Sequence, residues 1–237
     1  MLLGVNPIVF LIGSIFLIPA VAVAVPVHEL GHGVAAVLMG DPSPRNRGYL
    51  RFDVRRYFNV YGVLAAFLLN VTWGNPVPVN EYRLGGPGRK LVYVLGGPAA
   101  NLVVAAVFGV LLRVLSGLDV TANPFTFSQP PLGYLATIVY AIFFLNLATF
   151  AFQLLPFPGL DGWRVVETLF RSRNPRFFFN VAANIQRIWV AGILVLLFAA
   201  FLRFPILSLA VAIFFQPAST VILGQCSTYV ALTPCLP

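Results

Sequence analysis

Three residues early in the chain, His28, Glu29 and His32, stand in the order His-Glu-Leu-Gly-His. On a helix, positions i and i+4 lie one turn apart on one face, so both imidazoles can bind a single Zn2+. Glu29, next to the first imidazole, can serve as general base to a zinc-activated water. The chain has only these two histidines, so the pattern uses both. The plain alternative is a pair of helix histidines satisfied by backbone or polar neighbours. It would have to explain three ionisable groups in an apolar run, where a charge near the bilayer centre costs about 2.5 kcal/mol or more.

A zinc hydrolase needs a third protein ligand and an open coordination position. Only seven acidic residues are available. Asp41 and Asp53 fall in a polar stretch, Glu81 in a Pro-punctuated loop, Asp119 towards the opposite side and Glu167 in a basic loop. Asp161 stands out in Leu154-Leu155-Pro156-Phe157-Pro158-Gly159-Leu160-Asp161-Gly162, just past an apolar span whose end lies on the same side as the end of the first span. His32 lies about seven residues, or ~10 Å of helix, from that first-span end. The two groups are therefore expected at similar depth. Pro156 and Pro158 break the helix and let irregular backbone line a cavity. The alternative for Asp161 is an ordinary Asp-Gly turn residue.

The elements that must position these groups are membrane spans. Of 237 residues 59% are hydrophobic and 9% charged, and the mean hydropathy is +0.89. A soluble domain carries about 25% charged residues, so a water-soluble fold and intrinsic disorder are both excluded. Apolar runs predict spans at about 7–39, 91–115 and 132–155. A last tract at about 188–223, broken at Arg203-Phe204-Pro205, crosses once or twice. The expected fold is an all-α polytopic bundle of about four to six transmembrane segments. Alternation over Tyr49 to Val54 predicts a short strand or hairpin at the membrane surface, around 48–54, with an edge that could pair with an extended substrate. Residues 61–73 read as a re-entrant or interfacial piece, and 74–80 as an extended loop. A cleavable signal peptide is disfavoured, because no basic region precedes the first apolar run. With no internal repeat or linker, residues 1–237 read as one integral membrane domain, with its core at 7–170, a transmembrane tract at 188–223 and a short tail at 224–237.

The net charge of +8 comes from 15 basic and seven acidic residues. No basic cluster is interleaved with exposed aromatics, so nucleic acid is not an expected partner. If the first span ends in the cytoplasm, 13 of the 15 basic residues lie inside, as the positive-inside rule requires. That orientation puts the N-terminus outside and the site towards the cytoplasmic face. Cys226 and Cys235 have no metal-ligand spacing; a disulfide and two free thiols both remain open.

Several separated motifs resemble the site-2 protease family of intramembrane zinc metalloproteases, in its compact prokaryotic form without PDZ or CBS modules. His28-Glu29-Leu30-Gly31-His32 resembles its HExxH, Gly97-Pro98-Ala99-Ala100-Asn101 its GPxxN, Pro76-Val77-Pro78-Val79-Asn80 its PVPVN loop, and Leu154 to Gly162 its LDG segment. The resemblance implies one Zn2+ held by His28, His32 and Asp161, and Glu29 as the catalytic base. It implies cleavage of transmembrane protein substrates in the bilayer of a prokaryotic cell membrane. Gln153 stands where the family usually has Asn, and the His often found after the arginine-rich strand is absent. Gly96 and Gly97 read as a close helix-packing face. Asn101, Asn146 and Gln153 are candidate site-supporting or substrate-contacting residues, and Arg203 is expected to snorkel to an interface. A metal transporter and a pseudoprotease that binds helices without cutting are the competing readings. Oligomeric state is left open.

Overall fold

The computed structural model describes residues 7–116, 132–202 and 204–224. In chain order the helices are α1 (Pro7–Leu38), α2 (Ser43–Asn46), α3 (Val54–Tyr57), α4 (Val60–Leu69), α5 (Pro87–Ser116), α6 (Leu132–Gln153), α7 (Asp161–Phe170), α8 (Pro175–Ala183), α9 (Ile185–Phe201) and α10 (Ile206–Leu223), with a 3-10 turn at Glu81–Arg83. The protein is an all-α polytopic membrane protein, and no strand occurs among the described residues. The spans expected at 7–39, 91–115 and 132–155 are α1, α5 and α6. The last apolar tract is two helices, α9 and α10, divided at the expected break. Four helices are long and apolar enough to cross a bilayer: Gly13–Leu38, Pro87–Leu115, Gly133–Gln153 and Ile206–Leu223. The pair α8 and α9, bent by 72°, can add a fifth. Cys226, Cys235, Asp119 and Arg203 lie outside the described residues.

The strand expected at 48–54 is not formed. Proline at 42 and 44 favours a helical turn, and α2 starts there. Gly48 then turns the chain with φ 71°. Asp53 caps α3 by accepting from the Arg55 N–H at 3.1 Å. The backbone groups a ladder would use are met locally: Tyr49 N–H donates to the Pro44 carbonyl at 2.8 Å, Arg56 donates to the Gly48 carbonyl at 2.5 Å, and the buried Tyr57 hydroxyl donates to the Tyr49 carbonyl. The sequence alternation therefore marks no buried strand face, since Phe52 and Val54 are exposed, and residues 48–54 offer no strand edge for a substrate to extend. The piece expected at 61–73 begins as α4, a 10-residue apolar helix. Asn59 caps its start, and Asn70, at φ 58°, ends it in the left-handed region. Residues 74–80 form a loop without regular secondary structure, extended at Asn80 (φ −97°, ψ 94°).

α6 is the enclosed helix. Within its most apolar window 72% is buried, against 33% for α1 and 22% for α5, so α1, α5 and α10 surround it and carry the lipid-facing surface. Phe143, Leu147, Ala151 and Phe152 of α6 pack with Ala105 of α5 and with Val211 and Phe215 of α10. The contact that sets the site is the crossing of α1 and α5. A Cβ at Gly31 would lie 2.7 Å from the Ala100 Cβ and strike the Gly96 carbonyl. One at Gly96 would lie 2.7 Å from both the Ala35 Cβ and the Gly31 carbonyl. The two backbones touch because neither position carries a side chain, as small-residue packing in membranes permits. Replacing Gly31 with Val should overpack this crossing at a cost of about 1–3 kcal/mol, seen as a lower thermal unfolding midpoint of the purified chain in detergent.

Candidate metal centre

Asp161, from the far part of the chain, meets the two histidines of α1. The Asp161 Oδ2 lies 3.1 Å from His28 Nε2 and 3.1 Å from His32 Nε2, and the two Nε2 atoms are 3.1 Å apart. All three side chains are buried. Two features of the chain place Asp161 there. The Pro156-Phe157-Pro158 segment ends α6 and turns the backbone back, with Leu160 extended (φ −91°, ψ 164°) as the residue before α7. Gly162 then permits a close return: a Cβ there would lie 2.6 Å from the Leu155 carbonyl oxygen. Asp161 is the first residue of α7, where the helix dipole favours a carboxylate.

Each imidazole is oriented by its other nitrogen. His32 Nδ1 lies 3.0 Å from the Tyr93 backbone carbonyl, which can only accept, so this nitrogen carries the proton. His28 Nδ1 lies 2.7 Å from Asn101 Oδ1. The Asn101 amide is oriented by a chain of bonds: its Nδ2 donates to the Ala24 carbonyl at 3.0 Å and to Asn146 Oδ1 at 2.9 Å. Asn146 Nδ2 in turn donates to the Ile142 carbonyl at 2.8 Å. Asn101 therefore presents an oxygen to His28, and that ring too is protonated on Nδ1. With both imidazoles neutral, two Nε2 lone pairs and a carboxylate oxygen then converge. Such a set is self-repulsive unless a cation sits at its centre. A tetrahedral zinc site with bonds of about 2.0–2.1 Å has edges of about 3.3 Å, so the 3.1 Å triangle fits three of its four corners. These are the only three His, Cys, Asp or Glu side chains grouped this way among the described residues.

Room for the rings comes from Gly97, where a Cβ would lie 2.8 Å from His28 Cε1 and strike His32. Glu29 is also buried, and its Oε2 accepts from the Val77 N–H at 3.0 Å. Val77 stands between Pro76 and Pro78, neither of which has an N–H, so it is the one backbone donor of that triplet. The loop is tied down at its other end by Asp41, whose carboxylate accepts from the Asn80 N–H at 2.6 Å and the Ser43 hydroxyl at 2.6 Å. Burial works against ionisation of Asp41, yet these donors hold its carboxyl below the usual range. Asn101 and Asn146 thus join the metal centre through His28. Gln153, the last residue of α6, is buried but is not bonded to the three converging side chains.

Sequence reasoning missed two partners. One is the Val77 N–H, which the Pro-x-Pro pattern could have singled out as a lone donor. The other is Arg164, three residues after Asp161 and on the same face of α7.

The family described as Peptidase family M50 matches residues 16–200. Among curated proteins, “Putative zinc metalloprotease YwhC” of Bacillus subtilis is 30% identical over 158 residues, covering 65% of this chain and 68% of that one. “Putative zinc metalloprotease Rip2” of Mycobacterium tuberculosis is 29% identical over 178 residues, covering 73% of this chain and 64% of that one. The protein of the same name from Mycolicibacterium smegmatis is 28% identical over 153 residues, 51% of its length. The chain thus spans a little under two thirds of the first of these Rip2 proteins and about half of the second. No solved structure matches the chain significantly.

Replacing Asn101 with Leu removes the acceptor that fixes the His28 tautomer. Zinc affinity, read by competition with a chromophoric chelator, should fall about 10–100-fold; an unchanged affinity would refute the tautomer assignment.

Proposed function

Because the chain belongs to peptidase family M50, the site-2 protease family, and is a zinc metalloprotease of the membrane, we propose that it hydrolyses peptide bonds within or near the transmembrane segments of other membrane proteins. The observation that carries this reading is the depth of the converging nitrogens. His28 and His32 lie inside the apolar span Gly13–Leu38, and His32 is six residues before its end, about 9 Å along the helix axis. A site at that depth is reached by chains that are themselves in the bilayer.

In this reading His28, His32 and Asp161 hold the zinc and Glu29 is the catalytic base. When bound, the ion supplies Lewis acidity that activates water near neutral pH and polarises the scissile carbonyl. The Glu29 carboxylate takes the proton of the attacking water and then hands it to the leaving nitrogen. Val77 N–H engages Oε2, which leaves Oε1 as the proton acceptor and fixes its direction. The buried walls of α1, α5 and α6 keep bulk water and lipid from competing at the reacting carbonyl. A substrate helix has its carbonyls tied up in i to i−4 bonds, so the segment to be cut must unwind locally to expose one.

The same reading places the active site towards the cytoplasmic face of a prokaryotic cell membrane, with the N-terminus outside. What supports it is that the basic loops gather at one end of the bundle: Asp41 bonds Asn80, and Glu81 pairs with both Lys90 and Arg164. These residues follow α1, precede or open α5, and follow α6, and their loops carry most of the chain's basic residues.

The test is a pair of variants of the purified chain, assayed on a transmembrane substrate in detergent or vesicles. Glu29→Gln should keep one zinc per chain and lose turnover by about two to four orders of magnitude. Asp161→Ala should lose both zinc and turnover. Turnover that survives in Glu29→Gln would remove the base assignment, and full zinc content in Asp161→Ala would remove the third ligand. Cleavage confined to water-soluble peptides would overturn the intramembrane reading.

A further inference from the structure

The Asp161 carboxylate divides its two oxygens. Oδ2 meets the imidazoles, and Oδ1 faces Arg164 Nη1 at 4.0 Å. Arg164 is held from two other elements. Its Nη2 donates to Glu81 and, at 3.1 Å, to the Tyr93 hydroxyl, while the guanidinium lies over the Tyr93 ring at 5.0 Å. Glu81 is anchored in turn by Lys90 Nζ at 2.5 Å. Burial opposes the charge of Glu81, but Lys90 and Arg164 hold its carboxyl below the ordinary range. Burial likewise opposes the charge of Arg164, and Tyr93, Glu81 and Asp161 more than offset it, so the guanidinium stays charged.

We infer that Arg164 is a positioning residue for the metal centre: by attracting Oδ1 it keeps the Asp161 carboxylate turned so that Oδ2 alone points at the two imidazoles. This inference rests on the zinc reading above. Left to itself, a carboxylate at the start of a helix can rotate about its terminal bond and bind an ion through either oxygen or both. A guanidinium beside Oδ1 removes that freedom and balances part of the negative charge that Asp161 and Glu29 bring to a buried site. Tyr93 becomes the shared anchor of two ligands, since its backbone carbonyl orients His32 and its ring and hydroxyl hold Arg164.

An ordinary structural salt bridge would behave differently. The Arg164 and Glu81 side chains are 30% and 36% exposed, and pairs at such positions add little to stability. Zinc affinity, rather than the unfolding of the metal-free chain, should therefore register its loss. Competition with a chromophoric zinc chelator, on the full chain purified in detergent, measures this. Arg164→Ala should weaken zinc binding about 10–100-fold, as loss of an outer partner of a metal ligand typically does. Arg164→Lys should recover part of it and remain about 3–10-fold weak, because an ammonium cannot face Asp161 while forking to Glu81 and Tyr93. Glu81→Gln should move in the same direction, with the metal-free unfolding midpoint nearly unchanged in all three. Zinc affinity of Arg164→Ala within twofold of the parent overturns the inference. If that variant does not fold, parent-like affinity in both Arg164→Lys and Glu81→Gln overturns it instead. Asp161→Ala is the control. Its loss of zinc alongside an unaffected Arg164→Ala defeats only the positioning role, whereas a parent chain that binds no zinc defeats the reading beneath it.

Discussion

The convergence of two imidazole nitrogens and one carboxylate oxygen, each 3.1 Å from the other two, is the constraint on which the rest of this structure depends. Lone pairs do not gather in a low-dielectric interior unless each group is held by a second contact and the set is meant for a cation. Every member here has that second contact: His28 through Asn101, His32 through the Tyr93 carbonyl, and Asp161 through its place at the head of α7 and the guanidinium of Arg164. The fold can be understood as the scaffold for those three contacts. α1 carries the rings, α5 carries both of their Nδ1 partners, and α6 supplies Asn146 and delivers the chain to Asp161.

Such a scaffold needs helices closer together than ordinary side chains allow. Gly31 and Gly96 bring two backbones into contact, and Gly97 leaves the space the rings occupy. In lipid no hydrophobic gain drives helices together, so close dispersion contact and interhelical hydrogen bonds must do it. The amide chain from Ile142 through Asn146 and Asn101 to Ala24 therefore has two effects. It fastens α1, α5 and α6 to one another, and it fixes which nitrogen of His28 carries its proton. Stability and chemistry share the same bonds, which is why polar side chains are tolerated deep in a bundle that is otherwise apolar.

The Pro-rich segment before α5 adds the remaining group. Because Pro76 and Pro78 lack N–H groups, the Pro76–Pro78 triplet offers a single backbone donor, and Glu29 takes it. Asp41 clamps the same loop from the end of α1. The Glu29 carboxylate is thus oriented by backbone whose position is set at both ends, and Glu81 just beyond that loop reaches across to Arg164.

The sequence alone determined what could be read from composition, period and residue type. Length and hydropathy of the apolar runs set α1, α5 and α6, because a bilayer of fixed thickness demands about 20 apolar residues per span. The HExxH spacing set the two rings on one face, because i and i+4 share a face in any helix. Asp161 could be singled out because so few acids were available and the topology put it at the right depth. Only the tertiary structure decided the rest. Alternation at 49–54 could not reveal that Tyr49, Gly48 and their neighbours would find local partners, since a strand exists only if another strand meets it. The orientation of His28 by Asn101, of Glu29 by Val77, and of Asp161 by Arg164 joins residues up to 73 positions apart, or, for Arg164, depends on how α7 turns towards α5. Hydrogen bonds across helices depend on the angle and distance at which the helices cross, and that is a property of packing that no local pattern encodes.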